Sequence, residues 1–251
     1  SGNGFDGIVI GEPLACPGAN GSTIGSLEFD GASTRIDVPF DAALNPESFT
    51  VTLWANSGPT GAHASPITSR DDVGGGTSTH GYVLYHNPAG QWDFWTGDGD
   101  PGWETLPGSA VAIDTWTHLA ISYDAATMTK TLYINGVAEP AITGEGLYSP
   151  NGTVESEVLH IGSGEDGGEN FWFDGKIDDV GLFQVALPAE DIASIMANGI
   201  AGYSGASQNP EITDIVLNSD NGNVTITFNS INGAEYIVER STDLENWLEL
   251  T

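Results

Sequence analysis

Hydrophobic and polar residues alternate with a period of two along much of the chain, which is the pattern of half-buried β-strands. The clearest segment is 49–55, where Phe49, Val51, Leu53 and Ala55 share one face. A second segment covers 117–124, and a third, 131–134, runs into Asn135-Gly136. That dipeptide suits a type I′ hairpin turn because both residues tolerate positive φ. Further strands are predicted at 35–38, 82–86, 91–95, 158–161 and 176–183.

Short strands at close intervals, with Gly, Pro, Asn and Asp between them, predict an all-β sandwich. In segment 176–183 the hydrophobic residues change from an odd position, Ile177, to even positions, Val180 and Leu182. We therefore expect a β-bulge at Asp178-Asp179. One short helix is predicted at 189–198, begun by Pro188 and ended by Gly199.

The chain divides by composition into four parts. Residues 1–26 form a Gly-rich lead-in with one edge strand, and residues 27–201 form the main domain. Residues 202–210 read as a linker. Residues 211–251 contain three predicted strands at 212–217, 224–228 and 236–239, too few for a complete sandwich domain.

The charge is strongly unbalanced, with 35 acidic residues, 5 basic residues and a formal charge of −30 at pH 7. Such a surface repels nucleic-acid phosphates and anionic lipid, because these are bound by clustered Lys and Arg. Salt or bound cations offset the self-repulsion, and the Debye length at marine ionic strength is roughly 4 Å. The composition therefore predicts no nucleic-acid partner, and it favours a marine source or a calcium-carrying chain.

Cysteine usage and apolar runs add two exclusions. Cys16 is the single cysteine, so no intramolecular disulfide forms. No run of 18 apolar residues occurs, so we expect no membrane insertion. The first residues lack the basic and apolar parts of a signal peptide and read as a mature or trimmed end.

Between Leu27 and Gly199 the sequence resembles the laminin-G-like, concanavalin A-like jelly-roll modules of secreted bacterial multidomain proteins. Three runs carry the resemblance: 27–31 with 34–38 and 48–54 at the start, 116–124 with 132–136 in the middle, and 173–180 with 186–187 at the end. The tail from about Pro210 resembles a partial fibronectin-III-like segment, through 236–241 and 244–247. The resemblance implies a two-sheet antiparallel sandwich, found outside the cell or at its surface.

The same superfamily includes glucanases, which need two carboxylates about 5 Å apart in the retaining mechanism. In the glucanase relatives these lie in a Glu-x-Asp-x-x-Glu or similar motif on one strand, and this sequence contains none. Acids at even spacing, such as Glu155 and Glu157, lie in loop-like sequence. We therefore predict no catalytic residues.

The resemblance also implies calcium, because in similar proteins the ion often joins the first strand region to the last. Here the site would join Asp30-Gly31 to Asp178-Asp179, with Asp30 and Asp178 as the leading side-chain ligands. The residues leave an alternative open: Phe-Asp-Gly is also the sequence of an Asx-type turn with Gly at positive φ. Two acidic loops are candidates for a second metal or ligand site; they contain Asp98, Asp100 and Glu104 in one, and Asp166 and Glu169 in the other.

Sugar recognition needs aromatic rings on an accessible face, flanked by hydrogen-bonding side chains. Segment 91–95 sends aromatics to both faces, so either Trp92 with Phe94 or Trp95 lines the concave side. The other candidates for ligand contact are Tyr82, His86, Trp103 and Trp172, whereas His80 and His118 are interpreted as structural.

These observations predict a non-catalytic, calcium-stabilised recognition module that binds a polysaccharide or glycoprotein outside the cell. The alternative is a structural or adhesive subunit of a surface fibre, which self-assembles by strand pairing through the C-terminal segment.

Overall fold

The computed structural model describes residues 4–73, 78–151, 158–164 and 170–203, and the backbone of four strands between residues 212 and 249. The chain forms two compact units, Ser1–Tyr203 and Ser204–Thr251.

The first unit is built almost entirely from antiparallel strands. In chain order these are β1 Ile8–Ile10, β2 Leu14–Cys16, β3 Ser26–Asp30, β4 Arg35–Val38, β5 Phe49–Ser57, β6 Ala64–Val73, β7 Ser78–His86, β8 Gln91–Asp98, β9 Glu104–Ala110, β10 Trp116–Asp124, β11 Thr129–Ile134, β12 Val137–Ala138, β13 Ile142–Thr143, β14 Leu159–Ile161 and β15 Asp174–Phe183. Helix α1 spans Ala189–Asn198, and single 3₁₀ turns lie at Ala42–Leu44 and Ile200–Gly202.

The described strands of the first unit form two sheets. The first sheet has the order β1-β4-β14-β6-β7-β8-β9, and the second has the order β12-β11-β10-β5-β15-β3-β2, with β13 beside β11. Half of the neighbouring strand pairs along these two orders are not consecutive in the chain, as in a jelly-roll sandwich. The predicted all-β, two-sheet fold is confirmed.

Strand β5 shows why the sandwich closes. Phe49, Val51, Leu53 and Ala55 are fully buried, and they pack with core residues of both sheets. Each large apolar side chain removed from water contributes about 1.5–3 kcal/mol. The alternation predicted for 49–55 therefore corresponds to one core face of a central strand, and the same holds for Leu119 and Ile121 in β10.

The turn between β11 and β12 takes the predicted form. Asn135 and Gly136 have φ values of 51° and 76°. The Asn135 side chain also accepts a hydrogen bond from the His118 backbone N–H at 3.0 Å. This bond ties the hairpin to β10.

Strand β15 contains the predicted bulge. Its register against β5 shifts between Asp178 and Gly181, and Asp179 has a φ of 50°. The extra residue changes the parity of the strand, so Ile177 faces the core before the bulge and Leu182 packs against it afterwards.

Helix α1 covers part of the outer face of the second sheet. Ile192 and Ile195 are buried and pack with Ala120 and Tyr133, which point away from the main core. Thr50 fixes the approach to the helix, since its Oγ1 donates to the Val185 carbonyl and accepts from the Leu187 N–H. Among the described helices, none has the length and apolar character needed to cross a bilayer.

The N-terminal residues contribute two strands, one more than predicted. Strand β1 lies at the edge of the first sheet beside β4, and β2 lies at the edge of the second sheet beside β3. In the second unit, β16 (Ile212–Leu217) pairs with β17 (Val224–Phe228), and β18 (Glu239–Arg240) pairs with β19 (Leu248–Glu249). Most of the strand predicted at 236–239 lies outside the described residues.

Candidate functional site

The outer face of the first sheet, turned away from the core, gathers a second set of large side chains. In β8, Trp92 and Phe94 lie in the core, so Asp93 and Trp95 point to the opposite face. The register places Asp93 opposite Tyr85 and Trp95 opposite Val83. Of the two alternatives for segment 91–95, Trp95 is therefore the aromatic on the outer face.

His63 and Phe171 join Tyr85 and Trp95 in one aromatic cluster. The His63 ring centroid lies 4.9 Å from that of Tyr85 and 5.2 Å from that of Trp95. The Phe171 ring lies 5.5 Å from Tyr85 and 6.4 Å from His63. All four contacts are edge-to-face, which is a favourable arrangement of ring quadrupoles.

Beside this cluster lies the aromatic pocket, a cavity of about 510 Å³ lined by His63, Phe171 and Trp172, with Thr60 and Asn170 among its polar residues. Gly31, Ala62 and Pro88 complete the lining. The cavity therefore combines aromatic faces with an amide and a hydroxyl. Within its described lining there is no Asp or Glu, although the chain is strongly acidic.

Phe171 adopts an uncommon backbone conformation at this pocket, with a φ of 42°. Positive φ is unfavourable for a bulky residue. Backbone strain of this kind persists only where surrounding contacts fix it, and it is concentrated at functional sites.

The two arginines of the first unit, Arg35 and Arg70, each lie against aromatic rings on this side of the first sheet. The Arg70 guanidinium carbon is 4.8 Å from the Trp103 ring centroid and 5.9 Å from that of Phe171. Arg70 Nη1 also donates to the Tyr85 hydroxyl at 3.2 Å. Cation–π contacts of this geometry are worth about 0.5–2 kcal/mol each.

Arg35 makes the corresponding contacts at the pocket itself. Its guanidinium lies 5.5 Å from the Trp172 ring centroid, and its Nη1 donates to Asn170 Oδ1 at 3.2 Å. Asp37 Oδ1 lies 2.8 Å from Arg35 Nε and 2.7 Å from His160 Nδ1. Through Arg35, these contacts hold the pocket-lining side chains Asn170 and Trp172 in place.

Asp93 and Trp95, which are neighbours on the outer face of β8, have incomplete hydrogen bonding. Asp93 is buried, and its Oδ2 accepts from Asn87 Nδ2 at 3.2 Å. In the described part of the chain, Asp93 Oδ1 and the neighbouring Trp95 Nε1 have no partner. Burial lowers the pKa of His63, and the nearby Asp93 carboxylate opposes that shift. His63 is therefore predominantly neutral at pH 7, able to donate and accept one hydrogen bond.

A family model described as the concanavalin A-like lectin/glucanases superfamily matches residues 30–193. The chain belongs to this superfamily. The match runs from the end of β3 into helix α1 and includes β4 to β15, so the fold and the family agree. A search of curated proteins gives no match.

Solved structures with the same concanavalin A-like fold include toxin and glycosidase modules. The binding domain of botulinum neurotoxin serotype D superposes with a TM-score of 0.56 at 14% identity, over 77% of this chain and 46% of that chain. The binding domain of botulinum neurotoxin DC in complex with SialylT gives 0.54 at 15% identity, over 77% and 46%. Domain 4 of AbnA, an extracellular arabinanase from Geobacillus stearothermophilus, in complex with arabinotriose, gives 0.54 at 20% identity, over 74% and 82%.

The chain spans about half the length of the neurotoxin domains that it matches. At these identities the superpositions show the fold of the chain. The neighbours named above are binding domains or a domain of a longer enzyme.

Three of the predicted ligand contacts are wrong. Trp92, Tyr82 and His86 are at most 1% exposed in this concanavalin A-like sandwich. His86 Nδ1 is bonded to the Ser57 hydroxyl at 2.9 Å, so this ring is structural. Strand parity places all three on the core side, where no ligand reaches them. Trp95, Trp103 and Trp172 lie on the outer face or against it.

The predicted joint metal site does not form. In the ladder between β15 and β3, Asp30 lies opposite Asp174, while Asp178 lies opposite Ser26. Four residues of strand separate the two positions, or roughly 13 Å at 3.3 Å per residue. Asp30 and Asp178 therefore cannot share one ion.

The Asp30 carboxylate serves a turn instead. Its Oδ1 accepts from the backbone N–H groups of Ala32, Ser33 and Thr34 at 2.7–3.0 Å, and its Oδ2 accepts from the Ser33 hydroxyl. These bonds hold the pKa of Asp30 well below its usual range, with the Ser33 hydroxyl as the main cause. Gly31 follows with a φ of 67°, so the Asx-type turn is the interpretation that holds.

The loop containing Asp98, Asp100 and Glu104 is likewise closed by its own bonds. Asp98 Oδ1 accepts from the Asp100 N–H at 3.0 Å, and the Asp100 carbonyl accepts from the Thr79 N–H and hydroxyl. Asp166 and Glu169 lie outside the described residues. Among those described, no group of three or more His, Cys, Asp or Glu side chains is placed to hold a metal ion.

Asp178 and Asp179 instead line a second cavity, together with a residue that the sequence analysis did not select. Trp54 lies opposite Asp178 in the β5–β15 ladder, and both line this cavity of about 370 Å³. Sequence analysis also missed His63, Tyr85 and Phe171 on the first sheet. Their positions depend on which loops meet, and no local pattern reveals that.

Proposed function

We propose that this chain is a non-catalytic, extracellular glycan-recognition module, and that the aromatic pocket is its binding site. The observation that carries the proposal is the lining of that pocket. Aromatic side chains stack on the apolar faces of sugar rings, while amides and hydroxyls bind the sugar hydroxyls. His63, Phe171 and Trp172 supply the rings, and Thr60 and Asn170 supply the hydrogen-bonding groups.

The solved neighbours support a saccharide ligand. Domain 4 of the arabinanase was solved with arabinotriose, and a neurotoxin binding domain was solved with SialylT. These ligands belong to those proteins. They support a saccharide or glycoprotein partner for this chain, because this chain shares their fold and has an aromatic pocket of its own.

The arrangement of acids on the outer face supports a binding role over hydrolysis. Asp37 in β4 and Asp93 in β8 are separated by β14, β6 and β7. Four strand spacings of about 4.8 Å put them roughly 19 Å apart. A glycosidase pair needs a separation of about 5–9.5 Å.

The test is binding of the full chain to arabinotriose and to an immobilised panel of neutral and sialylated oligosaccharides. Trp172→Ala should abolish binding of the selected saccharide, and His63→Ala should weaken it at least tenfold. Trp116→Ala serves as the matched control, since Trp116 is also half-buried but lies on the second sheet. Binding that survives Trp172→Ala with unchanged affinity would place the saccharide elsewhere and refute the proposed site.

Calcium remains an expectation from the family resemblance, and we propose it as a structural ion of this domain. The predicted pair Asp30 and Asp178 does not fit such an ion. The binding experiments are therefore run in parallel with EDTA and with millimolar calcium at fixed ionic strength.

A further inference from the structure

The second cavity lies on the other side of the sandwich from the aromatic pocket, and we name it the carboxylate pocket. It has a volume of about 370 Å³ and is bounded by the outer face of the second sheet, residues 19–20 and the C-terminal end of helix α1. Its functional side chains are Trp54, Asp178, Asp179, Asn20 and Asn198.

The two carboxylates are held in place by the backbone. Asp178 Oδ2 accepts from the Ala19 N–H at 2.9 Å, and Asp179 Oδ2 accepts from the Ile200 N–H at 2.9 Å. In the described part of the chain, nothing donates to the second oxygen of either group. Each carboxylate therefore keeps one acceptor oxygen for a ligand without needing to reorganise.

Trp54 provides an aromatic wall beside these charges. It is half-buried, and its ring packs edge-to-face on His118 with a centroid distance of 5.2 Å. His118 is only 1% exposed, so this contact fixes Trp54 against the interior. A preorganised indole next to two carboxylates favours an organic cation, through cation–π attraction and charge-assisted hydrogen bonds.

Positive charge within the described lining of the pocket is absent. Lys176 lies two residues from Asp178 on β15, and its Nζ is 3.7 Å from Glu28 Oε1. The local charge is therefore negative, within a chain of formal charge −30. An anionic ligand is disfavoured, and two carboxylates fall short of the six to eight oxygens that calcium prefers.

We propose that the carboxylate pocket binds a protonated primary amine of an organic ligand, with the ammonium group between Asp178 and Asp179 and the adjoining apolar part on Trp54. An amino sugar and an aliphatic polyamine share this chemistry. The site is separate from the aromatic pocket and stands without the proposed function.

The experiment is calorimetric titration of the full chain at fixed ionic strength with a glucosamine trimer, its fully N-acetylated form, spermidine and calcium chloride. One amine should bind per chain, and N-acetylation should weaken the trimer at least tenfold. If the glucosamine trimer binds and spermidine does not, the ligand is an amino sugar. If spermidine binds equally well, the pocket recognises the amine group itself. Absence of binding by both amines would overturn the proposal, as would equal affinity for the acetylated and free trimers.

Variants locate the site. Asp178→Asn and Asp179→Asn each keep an oxygen for the backbone N–H, and each should weaken amine binding at least tenfold. Asp124→Asn is the matched control, because Asp124 also accepts a backbone N–H, from Ala126, at the far end of β10. Trp54→Ala should weaken binding and Trp54→Phe should retain part of it. Calcium binding that depends on Asp178 and Asp179, without amine binding, would make this a metal site and refute the assignment.

Discussion

The Nζ atom of Lys130 lies 2.6 Å from the carbonyl oxygen of Glu104, although the two residues belong to different sheets. Lys130 is fully buried, and its ammonium group also donates to Thr96 Oγ1 at 3.0 Å. One of the five basic residues of a strongly acidic chain thus connects the two sheets inside the sandwich. Burial lowers the pKa of Lys130 to about 7, from an ordinary value of 10.5.

The first prediction follows from this lowered pKa. The unfolded chain binds the Lys130 proton up to about pH 10.5, whereas the folded chain releases it near pH 7. The stability contribution of this group is therefore complete above pH 10.5 and falls as the pH falls towards 7. The free energy of unfolding should rise by about 1 kcal/mol per pH unit between pH 7.5 and 9.5. Urea unfolding measures this slope, and Lys130→Met should remove it. A slope unchanged in that variant would assign it to other groups.

His118 gives the second prediction. Its ring is buried, and burial lowers its pKa to about 4 from 6.5. In the described part of the chain its Nδ1 has no hydrogen-bond partner. The folded state therefore favours the neutral ring, and stability present above pH 6.5 is lost as the pH falls through 4. We expect a loss of about 2–3 kcal/mol across that interval. Urea unfolding at pH 6.5, 5.5 and 4.5 measures it, and His118→Gln should flatten the curve.

The third prediction separates turn formation from metal binding at Asp30. Asp30→Ala removes the acceptor for three backbone N–H groups, so stability should fall by about 1–3 kcal/mol. The loss should be equal in EDTA and in calcium. Asp41→Ala is a milder control, because Asp41 accepts one backbone N–H, from Ala43. A loss seen only in calcium would restore a metal at Asp30.

Gly81 gives the fourth prediction. It has a φ of 84°, and a Cβ added there would lie 2.1 Å from the Ser69 carbonyl oxygen. Gly81→Ala should therefore cost about 3 kcal/mol or more, measured by thermal or urea unfolding. Gly90 also has a positive φ, of 77°, but an added Cβ would meet nothing within 4 Å. Gly90→Ala should cost only about 1–2 kcal/mol. Equal losses of stability in the two variants would mean that the positive φ, and not the clash with the Ser69 carbonyl, causes both.

The sequence was sufficient where local pattern alone decides structure. The alternation in β5, the Asn135-Gly136 turn and the parity change in β15 are each encoded within about ten residues. Each of them is found in the structure. The family motifs likewise predicted the superfamily.

The location of the candidate site could not be predicted, because it depends on information that one sequence does not carry. Trp92 and Trp95 have opposite parity on one strand, and only the packing of the sheet decides which is buried. The meeting of Asp30 with Asp174, and not with Asp178, depends on the register between two strands that are distant in sequence. The aromatic pocket joins residues near 60 and 170, which only the topology brings together.

The placement of β1 and β2 has a consequence for how the protein responds to proteolysis. These two short strands are consecutive in the chain, yet one lies beside β4 in the first sheet and the other beside β3 in the second. A protease that removes residues 4–16 would therefore uncover unpaired strand edges on both sheets at once. Unpaired edges recruit strands from other molecules. Loss of one short N-terminal segment would thus expose both sheets to pairing with other molecules, while every residue that lines the aromatic pocket is retained.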